Sequence, residues 1–230
     1  MAIIQKLHRA VLQAVGGGRG RALSLQEIEP IKALCDGILP IHVGLEVPTP
    51  ATAETLYRGS KAIRYIHIYE DRDVSIGIFV LPPGATIPLH NHPDMSVVSR
   101  LLYGSLHVTS YDLVPAEAND AFWTAHDPGD DPPSIWRRKK KLLLAQQRQD
   151  RTGNLHEFTS GSDIGCAILD VLTPPYDPSH GRDCTYYRVA AALEPTPDDS
   201  DPIFALEATP VPPHSFDIVN LAYRGPPVLE

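Results

Sequence analysis

The first part of the chain carries apolar residues at helical intervals. Residues 3–15 place apolar side chains every three or four positions, at Ile4, Leu7, Val11 and Val15. This spacing predicts an amphipathic helix. A second apolar stripe follows Ser24 and Glu27, which are spaced as a capping box. Pro30 leaves a later start near Glu29 open, because proline is best tolerated in the first helical turn. We therefore expect a helical N-terminal extension over residues 1–40.

From about residue 60 the pattern changes to short runs rich in β-branched and aromatic residues. The runs cover residues 65–69, 75–81, 97–103, 106–111 and 164–172. Turn-forming residues separate these runs, and such a succession predicts an all-β sandwich or barrel. We expect the β-barrel core to cover residues 60–226, with a closing strand over residues 217–223.

Two segments lack this pattern. Residues 115–153 are polar, and residues 194–213 hold six of the 23 prolines, so both are expected to be irregular. The basic run Arg137 to Lys141 would then be a solvated loop or the end of a strand. Five consecutive basic residues also satisfy the loose pattern of a nuclear-localisation signal.

Length and composition are typical of one globular domain over residues 1–230. The chain is 43% hydrophobic and 21% charged, with a formal net charge of −8. This charge argues against a broad nucleic-acid-binding face, and no apolar run is long enough to span a membrane. Three cysteines, at 35, 166 and 184, fit neither a disulfide framework nor a zinc spacing. We expect a soluble, monomeric protein of the cytoplasm or nucleus.

Three histidines form the strongest chemical signal. His90 and His92 are separated by one residue, so on a β-strand both imidazoles would point to the same side of the sheet. His156 completes the two-part spacing by which cupin barrels hold one metal. The glycines that accompany the histidines in that pattern are also present, at positions 84, 104 and 153. We predict that the three imidazoles bind a metal ion.

The carboxylate of the ordinary cupin site is missing. Val97 stands at the usual Glu position, and Ser160 replaces the Asn of the second motif. Three neutral imidazoles leave a divalent metal with its full charge and about three open positions. Such a metal favours an anionic ligand supplied by the substrate, and a thiolate suits this vacancy.

Four further residues are candidates for the surroundings of the metal. Asp170 lies inside an apolar run, where a carboxylate needs a partner, and a ligating histidine needs an acceptor for its second N–H. We expect Asp170 to orient a histidine, His156 being the first choice, unless it faces solvent on a half-exposed strand. Tyr176 follows two prolines and would hydrogen-bond O2 or substrate, or be a packing residue. Cys184 and Tyr186 share a strand face, although a free cysteine is usually a small buried apolar residue.

Taken together, these residues resemble a known family, the plant cysteine oxidases, which belong with the cysteamine (2-aminoethanethiol) dioxygenases. The resemblance runs from about residue 25 to the end. It is carried by Ser75-Ile-Gly-Ile-Phe, Ile87-Pro-Leu-His-Asn-His-Pro, Leu102-Tyr-Gly-Ser-Leu-His-Val, Gly153-Asn-Leu-His-Glu-Phe, Ile168-Leu-Asp-Val-Leu, Pro174-Pro-Tyr, Cys184-Thr-Tyr-Tyr and Tyr223-Arg-Gly-Pro. The chain departs from the family pattern at Asp94 and Leu113, and strongly over residues 113–152.

The resemblance implies a cupin double-stranded β-helix, a jelly-roll-like barrel, with the N-terminal helices packed outside. It implies Fe(II) on the three histidines, catalytic or modulatory roles for Asp170, Tyr176 and Cys184, and a Cys184–Tyr186 thioether as formed in some animal relatives. It further implies that the enzyme uses O2 to convert the N-terminal cysteine of proteins to cysteine sulfinic acid. The substrates would be transcription factors of the hypoxia response, and the product an Arg/N-degron signal.

Two alternatives stay open at this point. A dioxygenase of free cysteamine or cysteine would use the same metal site, and for cysteine it would need a cation for the substrate carboxylate, with Arg100 and Arg182 as candidates. A non-catalytic cupin would bind a metal but take up no oxygen with any thiol.

Overall fold

The computed structural model describes most of the chain. The described residues are 1–16, 21–113, 134–144, 148–149, 155–193, 203–209, 211 and 217–229. No helix among them is long and apolar enough to cross a membrane. None of Cys35, Cys166 and Cys184 takes part in a disulfide.

Three α-helices precede the strands. They are α1 (Ile3–Val15), α2 (Leu25–Asp36) and α3 (Pro50–Tyr57), with a short 3₁₀ turn at Pro40–Val43. The four apolar residues predicted for α1 are buried, which confirms the stripe. In α2 the Ser24–Glu27 capping box is formed, so the helix begins before Pro30 and the later start is wrong. Helix α3 was not expected, although Thr49 caps it and Pro50 occupies its first turn.

The rest of the described chain is almost entirely β. Its strands are β1 (Ile63–Glu70), β2 (Ser75–Leu81), β3 (Thr86–Asn91), β4 (Ser96–Leu113), β5 (Ser134–Leu144), β6 (Arg148–Gln149), β7 (Leu155–Ser160), β8 (Cys166–Thr173), β9 (Tyr186–Leu193), β10 (Ile203–Thr209) and β11 (Ile218–Leu221). A second 3₁₀ turn lies at Pro178–His180.

The long strand β4 joins two sheets. Its first half pairs with β8, and its second half lies between β5 and β7. One sheet runs β11-β1-β2-β8-β4, and the other runs β4-β5-β10-β9-β3-β7 and returns to β4. The predicted double-stranded β-helix is therefore the observed architecture.

Gly104 explains why β4 is one strand. Residues 97–103 and 106–111 were expected as separate strands, which is wrong. Gly104 lies between them at a φ of +81°, so the strand bends from one sheet into the other without ending. A Cβ at this position would lie 2.0 Å from the carbonyl oxygen of Gly165. The bend therefore requires glycine.

Two further expectations are corrected by strand pairing. Strand β5 lies within residues 115–153 and β10 within residues 194–213, both expected to be irregular. The run Arg137 to Lys141 lies inside β5, where it pairs with β4 along Val108–Asp112. Strand β10 is antiparallel to both β5 and β9. Backbone pairing on both edges therefore outweighs the weak local signals of these segments.

The helices pack on the outer face of the first sheet. Strand β2 shows how, since Ile76, Ile78 and Val80 point into a core shared with the helices. Its alternate residues face the barrel interior, where a second core lies between the sheets. Both faces of β2 are therefore covered, which accounts for its nearly continuous apolar sequence.

Gly104→Ala is predicted to destabilise the protein by roughly 3 kcal/mol or more, since it combines the left-handed backbone with a clash against Gly165. Gly181→Ala is the matched control, because Gly181 has a φ of +77° but nothing within 4 Å of an added Cβ. It should cost about 1 kcal/mol. Urea unfolding measures both values, and equal losses would contradict the role given to the close approach.

Candidate metal centre

The three histidines predicted as ligands lie together inside the barrel. His90 is on β3 and His156 on β7, and the two residues are directly paired across these strands. His92 follows the last residue of β3, so the His-x-His pair extends one step beyond the strand. All three are buried, and their candidate ligand atoms lie within 4.8 Å of one another.

Hydrogen bonds fix which nitrogen of two of these rings faces the others. His90 Nδ1 lies 2.7 Å from the carbonyl oxygen of Pro88, which can only accept, so Nδ1 carries the proton. Tyr176 donates its hydroxyl proton to the carbonyl of Asn91, at 2.7 Å. The 2.7 Å contact between Tyr176 Oη and His92 Nδ1 must then use the proton on Nδ1. In both rings Nε2 keeps its lone pair for a metal.

Burial keeps these rings in the metal-binding form. It lowers the pKa of His90 to about 4. For His92, burial and the neighbouring histidines hold the pKa well below its ordinary value. Neutral imidazole is the form that binds metals. His92 Nε2 and His156 Nε2 lie only 3.2 Å apart, a distance that a shared cation stabilises. The donor set therefore fits a divalent metal.

Tyr176 has a different place from the one expected. Its hydroxyl donates to the Asn91 carbonyl and accepts from His92 Nδ1. Its ring stacks on His92 with centroids 5.4 Å apart. Burial raises the pKa of Tyr176, so the hydroxyl stays protonated. It holds a ligating ring in position here, instead of donating to a bound substrate.

Cys184 and Tyr186 lie beside this tyrosine, although Cys184 precedes β9 and so does not share a strand with Tyr186. Tyr186 is opposite His90 in the pairing of β9 with β3, and the Cys184 thiol is in hydrogen-bonding contact with the hydroxyls of Tyr176 and Tyr186. Burial raises the pKa of Cys184 and of Tyr186. The pair is therefore close and protonated. A thioether between them stays a prediction.

Asp170 lies in the site but does not hold His156. Its carboxyl is 7% exposed and hydrogen-bonds to Ser99, while Oδ1 has no hydrogen-bond partner among the described residues. Burial, only partly offset by Ser99, raises the pKa of Asp170 to about 6. The expected contact with His156 is not formed, and Asp170 instead belongs to the lining of the cavity with one buried oxygen unpartnered.

A cavity of about 360 Å³ connects these groups. Its described lining is largely apolar and aromatic, with hydroxyl groups and two carboxylates: Tyr65, Glu70, Ser75, Phe79, Ile87, His90, His92, Phe158, Asp170, Leu172, Pro175, Tyr176, Cys184, Tyr186 and Ile218. Val97 pairs with Leu172, so the carboxylate position of the ordinary cupin site carries an apolar side chain on this face.

Neither arginine proposed for a substrate carboxylate lines the cavity. Arg100 is 3% exposed, and its Nη2 donates to the backbone oxygen of Asp36 at 3.3 Å. Arg182 donates to the carbonyl of Pro175 at 3.2 Å and approaches Asp177. The charged groups of the described lining are therefore the carboxylates of Glu70 and Asp170.

Sequence reasoning missed the wall formed by Tyr65, Ser75 and Glu70. Gly77, directly opposite Asp170, was the available signal, because glycine inside a strand often marks a close approach. A Cβ there would lie 2.5 Å from the Tyr65 ring. The missing side chain lets Tyr65 lie across β2 toward Ser75, with which its hydroxyl makes contact.

Comparison with known proteins identifies the family. The family model described as PCO_ADO matches residues 34–228. The chain belongs to this family. Plant cysteine oxidase 1 of Arabidopsis thaliana is 32% identical over 92% of this chain and 75% of its own length. Plant cysteine oxidase 2 of the same plant is 35% identical over 80% and 65%, and 2-aminoethanethiol dioxygenase of Mus musculus is 33% identical over 64% and 62%.

Solved structures similar to this PCO_ADO protein include KdgF from Halomonas, with 11% identity and a TM-score of 0.34 over 50% of this chain and 81% of that one. An RmlC-like cupin from Shewanella frigidimarina has 16% identity and a TM-score of 0.35 over 53% and 84%. The protein is thus a thiol dioxygenase of the PCO_ADO family with a three-histidine metal site.

Tyr176→Phe is predicted to weaken metal binding about 10- to 100-fold, because it removes the acceptor that fixes the His92 tautomer. The dissociation constant for Co(II) can be measured by chelator competition. Tyr223→Phe is the matched control, since it loses a hydroxyl whose partner is the carbonyl of Pro226, outside the cavity lining. Equal affinities of the two variants would exclude the positioning role.

Asp170→Asn is predicted to stabilise the metal-free protein, and more at pH 8 than at pH 5. With its pKa raised from 3.8 to about 6, Asp170 binds its proton more tightly in the folded protein. Wild-type stability therefore falls as pH rises from about 4 to 6, and stays lower above that. The gain should reach roughly 3 kcal/mol at pH 8 and about half of that at pH 5.

Urea unfolding at the two pH values checks this difference. The exposed Asp163 supplies the control variant Asp163→Asn. A gain for Asp170→Asn that is independent of pH would show that the buried carboxylate is not the cause.

Proposed function

We propose that the protein is a non-haem iron dioxygenase that uses O2 to convert the N-terminal cysteine of a protein or peptide to cysteine sulfinic acid. Support comes from the family and from three buried histidines, with Val97 in place of the carboxylate ligand of the ordinary cupin site. Such a donor set leaves room and positive charge for a thiolate from the substrate.

The observation that carries the choice of substrate is the charge of the cavity. Its described lining holds Asp170 and Glu70 but no lysine or arginine. Free cysteine would bring its own carboxylate into this lining without a cation to pair with, which is costly in a buried site. In a peptide that carboxylate is an amide, and only the amino group and the thiol remain. Both suit a cavity whose lining includes the Asp170 carboxyl and is otherwise largely apolar.

Each residue of the site then has a role. His90, His92 and His156 would hold Fe(II), which supplies the redox chemistry between the substrate sulfur and O2. Tyr176 keeps His92 in its metal-binding tautomer. Asp170 binds the amino group of the substrate and takes up its proton, for which a pKa of about 6 is well placed. The apolar wall of Phe79, Ile87 and Phe158 excludes water around the sulfur.

The overall reaction balances without a further cofactor. The thiol sulfur loses four electrons and O2 gains them, so both oxygen atoms end on the sulfur and no external reductant is required. The product is cysteine sulfinic acid, which releases its proton at neutral pH. Asp170 and the open side of the cavity give this proton an acceptor.

Free cysteamine is the second candidate substrate. It has a thiol and an amine but no carboxylate, so the described lining does not oppose it, and one relative is named for this thiol. Cysteamine would fill only part of a cavity of about 360 Å³. The part that reaches Glu70 and Ile218 would stay vacant, which favours a longer substrate.

The cellular role follows from the same proposal. Cysteine sulfinic acid at an N-terminus would serve as an Arg/N-degron signal, and dependence on O2 would make its formation an oxygen-sensing step. Transcription factors of the hypoxia response would be the substrates, and these would require the enzyme in the cytoplasm or nucleus.

The test is anaerobic reconstitution of the full chain with Fe(II), followed by addition of O2. Mass spectrometry should show a gain of two oxygen atoms on a peptide that begins with cysteine, at a higher kcat/KM than for cysteamine, and no gain on free cysteine. The same peptide with an acetylated N-terminus is the control and should stay unmodified. Oxidation of cysteamine alone would favour the second candidate, and no oxidation of any thiol would indicate a non-catalytic cupin.

A further inference from the structure

The cavity has a second carboxylate that the proposed reaction does not use. Glu70 ends β1 and is exposed, yet it belongs to the same cavity lining as the histidines. Its Oε2 accepts a hydrogen bond of 2.8 Å from the Ser75 hydroxyl, and that hydroxyl is in contact with Tyr65. The carboxylate is therefore held at the open end of the cavity.

The strand register gives its distance from the reacting end. Asp170 is opposite Gly77 on β2, and Leu172, two residues further along β8, is opposite Ser75. Ser75 in turn is opposite Glu70 on β1. The Cα atoms of Asp170 and Glu70 are therefore roughly 12 Å apart, because two residues along a strand and two strand spacings lie between them.

This separation matches the path of a bound peptide. If Asp170 holds the amino group of the N-terminal cysteine, the chain that follows must leave through the open end. An extended chain advances about 3.5 Å per residue, so the side chain of the second or third residue, when it is as long as Lys or Arg, reaches Glu70.

The charges around this path favour a cation. Among the described residues, the cavity lining contains the carboxyl groups of Asp170 and Glu70 and no lysine or arginine. The arginines nearest to Glu70 along the chain are directed elsewhere, since Arg72 approaches Asp73 and Arg64 lies 4.8 Å over the Tyr57 ring. A basic substrate residue would thus meet an acceptor, and an acidic one would meet a like charge.

We infer that Glu70 selects among peptides that begin with cysteine, favouring Lys or Arg over Asp or Glu at the second or third position. This inference rests on the proposed function. Because Glu70 is exposed, the preference that it confers is moderate. Attraction of a basic side chain and repulsion of an acidic one together correspond to about a 3- to 10-fold difference in kcat/KM between the two peptides. The difference should shrink as salt screens the charges.

The experiment uses the Fe(II)-reconstituted full chain and two sets of peptides that begin with cysteine. In one set the second residue is Lys, Gly or Glu, and in the other set the third residue is varied in the same way. In at least one set, the wild-type enzyme should oxidise the Lys peptide about 3- to 10-fold more efficiently than the Glu peptide.

Glu70→Gln is the decisive variant, because Gln keeps an oxygen for Ser75 and removes only the charge. Its ratio of Lys to Glu peptide should fall to about one, with the Gly peptide nearly unaffected. Glu54→Gln, on the exposed side of α3, is the matched control and should keep the wild-type ratio.

The outcomes separate the two proposals. If the wild-type enzyme oxidises all the peptides equally, or if Glu70→Gln keeps the wild-type ratio, the role of Glu70 is overturned and the proposed function stands. If no peptide is oxidised while the metal is bound, the proposed function fails, and the inference fails with it.

Discussion

The site depends on the antiparallel pairing of β3 with β7, which places His90 directly opposite His156. Side chains of a strand alternate between its faces, so a slip of one residue in this register would turn His156 away from the other ligands. The barrel around the pair excludes water, and this burial keeps His90 and His92 neutral. Desolvation and strand register together therefore turn three ordinary histidines into a metal site.

The two faces of the sheet that carries Asp170 have different roles, since one packs against the helices and the other lines the cavity. On β2, Ile76 and Ile78 point to the helices, whereas Ser75 and Phe79 line the cavity. A carboxylate on the cavity side is costly to bury without a hydrogen bond to each oxygen. The packing of the surrounding sheet offsets the free-energy cost of burying Asp170. A buried polar group that is destabilising in this way is typical of functional sites.

Local patterns predicted those elements whose signals are strong over several residues. The stripe of α1, the capping box of α2 and the bounds of β2 match the structure. The strands β5 and β10 could not be predicted in the same way, because their pairing with distant strands stabilises them more than their own composition does. The wall that includes Tyr65 and Glu70 was missed for a similar reason, since those residues come near Asp170 only across strands β1, β2 and β8.

The sequence by itself determined the ligand set, the absence of a carboxylate at Val97, the all-β class and the family, because spacing and residue type carry these directly. Only the tertiary structure decided what each neighbour of the metal does. It places the Tyr176 hydroxyl on His92. It also puts Asp170 in the cavity lining with one oxygen unpartnered, and Arg100 and Arg182 outside that lining. These roles depend on distances and directions between side chains far apart in the chain, which only the packing of the two sheets fixes.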